Sequence, residues 1–126
     1  MIESRVFITK PFQRFARRES IEATALLEAV ARMEKGQIDA DLGGGVIKQR
    51  IARPGQGKSG GYRTIVIFRQ GDRAVFMYGF AKSERDNIRA DEEKQFKEAA
   101  KHVLALTEKQ LAALVKEGDF VEVKRT

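Results

Sequence analysis

The chain has 126 residues, no cysteine and a single histidine, and its formal net charge is +6 at pH 7. The length suits one hydrophobic core, so we expect residues 1–126 to form a single domain; the missing cysteines exclude disulfides, and the lone His102 argues against a histidine-based metal site or triad. No apolar stretch reaches the ~18 residues that a membrane span needs and the first residues lack a signal-peptide pattern, so we expect a cytoplasmic protein with no membrane partner and no metal or cofactor.

The first 36 residues predict one strand followed by a helical hairpin. The apolar run 5–9 is typical of a strand, and Pro11 suits the first turn of the helix that follows. Ser20 is the candidate N-cap of a second helix, and Gly36 is placed to lie just beyond the end of that helix.

The middle of the chain predicts three strands that pair antiparallel. Gly43–Gly45 form a flexible joint, and the alternating segment 46–51 is the first of the three strands. Segment 62–68 is apolar on both faces, as a central strand would be. Segment 74–80 follows it through a tight Gly71-Asp72 turn.

The C-terminal part predicts two helices and a short strand. Asp91 is a candidate cap for the first helix, and Thr107 with Gln110 has the spacing of a capping box that opens the second. Gly118 ends that helix, and segment 120–123 can pair at the edge of the sheet. The predicted fold is α+β: an N-terminal strand and helical hairpin packed on a small antiparallel sheet, with C-terminal helices and a short last strand.

The positive charge is concentrated in the middle third of the chain. Residues 46–89 hold ten basic and three acidic residues, a net of +7, whereas the segments on either side are close to neutral. This asymmetry favours a polyanionic partner, although a basic soluble domain without such a partner is an alternative.

A glycine-rich segment lies between the first two of the three central strands. Residues 55–60 satisfy the pattern G-x-G-x-x-G, but a strand rather than a helix follows, and Ala52 stands where a nucleotide-binding loop needs glycine. We therefore interpret the segment as a hairpin loop in which Lys58 and free backbone N–H groups can contact a phosphate backbone.

Two stretches in this region resemble a known family. The segments GGGVIKQRIARPGQGKSGGYRTIVIF (43–68) and FMYGFAKSERDNI (76–88) resemble the RelE/ParE superfamily of toxins from bacterial toxin–antitoxin pairs, and most of all its HigB-like branch. The resemblance implies a RelE-like fold and a ribosome-dependent endoribonuclease that cleaves mRNA and inhibits translation. It also implies a helix-turn-helix antitoxin as partner, in a hetero-oligomer with the toxin.

The family chemistry assigns roles to basic residues of this chain. Attack of a ribose 2′-hydroxyl on the adjacent phosphorus needs a proton acceptor, positive charge near the phosphorane and a proton for the leaving oxygen, and no metal is required. By resemblance, Lys48 and Arg50 form the basic pair, with Lys48 as base or electrostatic helper. Arg63 binds the phosphate, while Lys82 and Arg85 stabilise charge or act as acid. Further contacts with RNA are expected from four residues: Arg53, Lys58, Ser59 and Arg89.

One departure from the family leaves the proton acceptor open. Better-known RelE enzymes carry a tyrosine near the C-terminus, where this chain has Arg89. Tyr62 and Tyr78 are expected to pack in the sheet. Two alternatives therefore stay open: a non-catalytic ParE-like toxin that inhibits DNA gyrase, and a catalytically weak protein that binds RNA or ribosomes.

Overall fold

The computed structural model describes residues 3–53 and 57–125, and the side chains of residues 57–59 lie outside this description. The described residues form an α+β fold, which confirms the predicted fold class. The elements in chain order are β1 (Arg5–Thr9), α1 (Lys10–Arg18), α2 (Ala23–Glu34), β2 (Ala40–Gly43), β3 (Val46–Arg53), β4 (Gly57–Arg69), β5 (Arg73–Ala81), α3 (Ala90–Ala105), α4 (Glu108–Glu117) and β6 (Phe120–Val123).

The strands form one sheet in the order β2-β3-β4-β5-β1-β6. All neighbouring pairs are antiparallel except β1 and β5, which run parallel. The predicted central strand is β4, which pairs with β3 on one side and β5 on the other. The predicted edge strand at the C-terminus is also confirmed, because β6 pairs with β1 at one end of the sheet.

Helices cover both faces of the sheet. On one face, Phe12 of α1 and Val30 of α2 belong to a fully buried cluster with Phe76 of β5. On the other, Val103 of α3 and Leu111 of α4 pack in a second cluster that includes residues of β1, β3, β4 and β5. Burial of this apolar surface on both sides is the main force that holds the sheet between the helices. Within the described ranges, no helix has the length and apolar character needed to cross a membrane.

The helical hairpin forms as predicted, but its second helix starts later than Ser20. The N-cap of α2 is Glu22, and Ser20 has a positive φ of 55° in the turn between the helices. The N–H of Ser20 donates to the Arg17 carbonyl (3.2 Å), so Ser20 closes the end of α1 instead of opening α2. Gly36 lies just beyond α2, as predicted.

Gly43–Gly45, predicted as a flexible joint, instead close a tight hairpin. They connect β3 to β2, a short strand that the sequence did not predict, and all three have positive φ. A side chain on Gly45 would also place its Cβ 2.7 Å from Cδ1 of Leu104, so α3 packs directly on this turn. The positive φ favours glycine at all three positions, and at Gly45 the Leu104 methyl group would also have to move aside for a side chain.

The C-terminal helices begin at one unexpected and one expected cap. Arg89, not Asp91, is the N-cap of α3, and its N–H donates to Oε1 of Glu92 (2.8 Å). The capping box of α4 is confirmed, because the Gln110 N–H donates to Oγ1 of Thr107 (3.1 Å) and the Thr107 N–H donates to Oε1 of Gln110 (2.8 Å).

The glycine-rich segment is shorter as a loop than predicted. Strand β4 begins at Gly57 and not near residue 62, and Arg53 is paired with Gly57 in the β3–β4 ladder. Residues 54–56 lie outside the described part of the chain.

Candidate functional site

A cleft opens where α3 stops covering its face of the sheet. Along β3, Val46 is buried under α3, whereas Lys48 and Arg50 project from the same face further along the strand. Arg50 lies opposite Arg63 of β4. The cleft has a volume of about 180 Å³, and its lining includes Asp39, Lys48, Arg50, Arg63, Phe80, Asp86 and Asn87.

A β-bulge brings Phe80 into this cleft. The register between β4 and β5 shifts, with Ile65 opposite Tyr78 and Val66 opposite Phe76, so β5 contains one extra residue. Because an extra residue reverses the faces that follow it, Tyr78 and Phe80 lie on the α3 side. Gly79 accordingly faces the opposite side of the sheet.

Arg63 carries the strongest sign of an anion site. Its Nη1 atom is buried and has no hydrogen-bond partner among the described residues. Burying a donor without a partner costs about 1–3 kcal/mol. Arg63 also lies opposite a second cation, Arg50, in the ladder. Because Arg63 and Arg50 both line the cleft, an anion bound there would reduce the repulsion between the two arginines.

Lys48 is oriented by a neighbouring amide. Its Nζ donates to Oδ1 of Asn87 (3.2 Å), and the same oxygen accepts from the N–H of Ile88 (2.8 Å). Asn87 lies in the loop between β5 and α3. The backbone of Lys48 is therefore held by β3, whereas its ammonium group is held by this loop.

Asp39 holds Arg50 at the other wall of the cleft. Its Oδ2 accepts from the Arg50 N–H (2.6 Å) and its Oδ1 from Nη2 of Arg50 (3.2 Å). Burial acts to raise the pKa of Asp39, but the hydrogen bonds from Arg50 outweigh it and the pKa lies below its ordinary value. Gln49, only 1% exposed, accepts from the Asp39 N–H (3.1 Å) and so fixes the segment that carries this carboxylate.

One family comparison covers nearly the whole chain. A family model described as the RelE toxin of the RelE / RelB toxin-antitoxin system matches residues 4–123. The chain belongs to the RelE toxin family. It is therefore the toxin of a toxin–antitoxin system and has a cognate antitoxin as partner. A search of curated proteins found no match to this toxin.

The structure places Arg85 outside the cleft lining. Its guanidinium forms a two-oxygen ion pair with Glu92 of α3 and donates to the Tyr78 hydroxyl (3.0 Å) and the Asn87 carbonyl (2.8 Å). The hydrogen bonds to Glu92 raise the pKa of Arg85, and they lower the pKa of Glu92. Most N–H donors of Arg85 therefore already have acceptors within the protein.

The other predicted catalytic residue, Lys82, and the predicted RNA contacts that the structure describes do not line the cleft. Lys82 is exposed just beyond β5 and does not line it. Arg53 is exposed near the end of β3, with its guanidinium 5.7 Å from the centre of the Tyr62 ring. Arg89 pairs with Asp91 (3.0 Å) at the start of α3. The side chains of two further predicted contacts lie outside the described residues: Lys58 and Ser59.

Both tyrosines pack in the sheet, as predicted. Tyr62 is 2% exposed on the α1 side, and its hydroxyl donates to the Glu19 carbonyl (3.4 Å). Tyr78 stacks on Phe96 of α3, with ring centres 6.1 Å apart.

Sequence reasoning missed four residues of the cleft wall: Asp39, Phe80, Asp86 and Asn87. Asp39 precedes the unpredicted strand β2, and Phe80 depends on the bulge. Asp86 and Asn87 stand within the FAKSERDN motif, but only Asn87 belonged to the family pattern. The motif itself was therefore the available sequence signal for Asn87, whereas no sequence signal pointed to Asp39.

Proposed function

We propose that this toxin is a ribosome-dependent mRNA endoribonuclease of the HigB-like branch, formed by residues 1–126 as one RelE-like domain. In this proposal it acts in the cytoplasm, where it inhibits translation, and a helix-turn-helix antitoxin neutralises it in a hetero-oligomer. The observation that carries the proposal is the guanidinium of Arg63, which belongs to a residue lining a cleft with two other cations and whose buried Nη1 has no partner among the described residues. A scissile phosphate supplies the acceptor that this nitrogen lacks.

The cleft residues suit cleavage by a 2′-hydroxyl. Arg63 binds a non-bridging phosphate oxygen through its planar guanidinium, which matches an oxyanion geometrically. Lys48 and Arg50, on the neighbouring strand, stabilise the negative charge that grows on the phosphorane. The 2′-oxygen forms a bond to phosphorus as the bond from phosphorus to the 5′-oxygen breaks, and the leaving oxygen takes a proton from water, so the products are a 2′,3′-cyclic phosphate and a 5′-hydroxyl.

Asp86 is the carboxylate that we assign as proton acceptor. Both oxygens of Asp39 accept hydrogen bonds from Arg50, and Lys48 donates to Asn87. Asp86 lines the cleft and is exposed, and among the side chains that the structure describes it has no hydrogen bond or ion pair. An open carboxylate beside bound RNA can take the 2′-hydroxyl proton.

Lys82 remains available for a different role. Its exposed position just beyond β5 suits a contact with the RNA backbone outside the cleft, and we propose the same for Arg53, Lys58, Ser59 and Arg89. These contacts position RNA but do not touch the reacting phosphate.

Primer extension on mRNA from cells that express the toxin tests the proposal. Wild type is expected to produce cuts in ribosome-bound transcripts, with rapid loss of protein synthesis, and Arg63→Ala is expected to lose both. A DNA damage response without mRNA cuts would instead support inhibition of DNA gyrase. Ribosome binding without cuts would support a catalytically weak RNA-binding protein.

A further inference from the structure

An ion pair between Arg85 and Glu92 ties the loop between β5 and α3 to the helix. The two oxygens of Glu92, in the first turn of α3, accept from Nη1 and Nη2 of Arg85 in the loop. The pair is largely enclosed, with side-chain exposures of 25% for Arg85 and 18% for Glu92. Arg85 also lies 5.8 Å from the ring centres of both Tyr78 and Phe80. A two-oxygen pair of this kind restricts orientation more than a single contact does.

The ion pair is connected to the lysine of the cleft. The Nε of Arg85 donates to the carbonyl of Asn87 (2.8 Å), and the side-chain oxygen of Asn87 accepts from Nζ of Lys48 (3.2 Å). A continuous line of contacts therefore runs from α3 through the loop to β3. Glu92 also accepts from the N–H of Arg89 (2.8 Å), which joins the same carboxylate to the start of the helix.

We propose that Glu92 is a positioning residue: through Arg85 it holds Asn87 where Asn87 orients the ammonium of Lys48 in the cleft. The inference rests on the proposed nuclease function, because its consequence is measured on RNA cleavage. It changes the role expected for Arg85 from a charge stabiliser to a member of the support for the cleft.

The two roles of Arg85 predict opposite effects of removing the negative charge at position 92. If Arg85 stabilised the phosphorane, Glu92→Gln would release a cation and increase cleavage. If Arg85 positions the loop, Glu92→Gln loosens Asn87 and decreases cleavage. Small displacements of catalytic groups reduce rates by as much as ~100-fold. We expect a decrease of about tenfold in kcat, because Lys48 keeps its charge and only its orientation is lost.

The experiment measures kcat and KM for cleavage of ribosome-bound mRNA. Glu92→Gln is expected to lower kcat about tenfold with KM within about twofold of wild type. Glu93→Gln is the matched control, since Glu93 is the next residue of the same helix and pairs only with Lys97 (3.1 Å) among described residues. The control is expected to cleave like wild type.

Repeating the substitution in an Asn87→Ala variant distinguishes a positioning role of Glu92 from a general loss of structure. In Asn87→Ala, Glu92→Gln is expected to add less than about twofold, because the line to Lys48 is already broken. A full tenfold effect in that background, or a rise in cleavage by Glu92→Gln, would overturn the inference. If Glu92→Gln unfolds, Arg85→Met replaces it with the same expectations in both backgrounds. Wild type without any cleavage would contradict the proposed function itself.

Discussion

Replacing Arg63 by methionine is expected to stabilise the toxin and to abolish most of its activity. Methionine keeps an unbranched apolar side chain of similar length and removes the guanidinium. In the free protein the guanidinium has a buried Nη1 without a described partner and lies opposite Arg50. Both features cost folding free energy, and both become useful only when an anion enters the cleft.

The structure sets the size of both effects. An unpartnered buried donor costs about 1–3 kcal/mol, and like charges directly opposite in a ladder cost about 0.2–1 kcal/mol. Because Arg63 as a whole is only half-buried, we use the lower end and expect Arg63→Met to raise the free energy of unfolding by about 1 kcal/mol. This corresponds to a Tm increase of roughly 4 °C. Loss of a charged hydrogen bond to phosphate, about 1.5–3 kcal/mol, predicts a roughly 10- to 150-fold lower kcat/KM.

Urea unfolding followed by circular dichroism measures the first effect, and cleavage of ribosome-bound mRNA measures the second. Arg69→Met is the control on the same strand, where the guanidinium donates to the Leu104 carbonyl (3.1 Å) and pairs with Asp72 (3.3 Å). This variant should lose a little stability and keep full activity. The reasoning fails if Arg63→Met is less stable than wild type, or if it still cleaves at the wild-type rate.

Three further variants test other parts of the structure. Asp39→Asn removes a carboxylate whose pKa is lowered in the folded state, chiefly by hydrogen bonds from Arg50 that outweigh its burial. The carboxylate therefore contributes about 1–2 kcal/mol to the free energy of unfolding above pH ~4, and this contribution is lost as the pH falls through the lowered pKa. A difference in unfolding free energy between wild type and variant that stayed constant from pH 6 to 2 would contradict this. Gly79→Ala places a Cβ 2.4 Å from Cε2 of Phe15, so urea unfolding should show a loss of about 2 kcal/mol, and an unchanged midpoint would mean that the ring can move freely. Asp86→Asn should lower kcat about 100-fold without weakening RNA binding, and an unaltered pH–rate profile would remove Asp86 as proton acceptor.

The alternating strand pattern was sufficient to predict the floor of the cleft. Segment 46–51 alternates between apolar and polar residues, so Lys48 and Arg50 had to share a face once Ile47 and Ile51 were buried. The structure confirms this arrangement. Arg63 could be predicted in the same cleft because it lies on the neighbouring strand, and antiparallel pairing brings the start of that strand beside the end of β3.

The walls of the cleft depend on tertiary contacts that leave no local pattern. The segment around Phe80 is apolar at nearly every position, so a bulge that reverses its faces does not disturb any visible alternation. Asp39 stands before a strand of four residues, ADLG, with weak strand propensity, which forms because β3 offers it a partner. Glu92 lies on the helix after the loop, and the sequence does not show that its carboxylate turns back to Arg85.

The structure also shows that the charge excess of the middle segment is not all available to RNA. Within residues 46–89, Arg50, Arg69, Arg73, Arg85 and Arg89 each pair with a carboxylate. Among the described side chains, Lys48 and Arg63 line the cleft without a carboxylate partner, and Lys82 and Arg53 are exposed outside it. Most arginines of the segment therefore stabilise loops and helix ends. These contacts in turn hold in position the two cations of the cleft that have no carboxylate partner, Lys48 and Arg63. Under the proposed function, such a site binds one phosphate in a defined orientation, so the rest of the affinity for mRNA comes from the contacts proposed outside the cleft and from the ribosome that presents the mRNA.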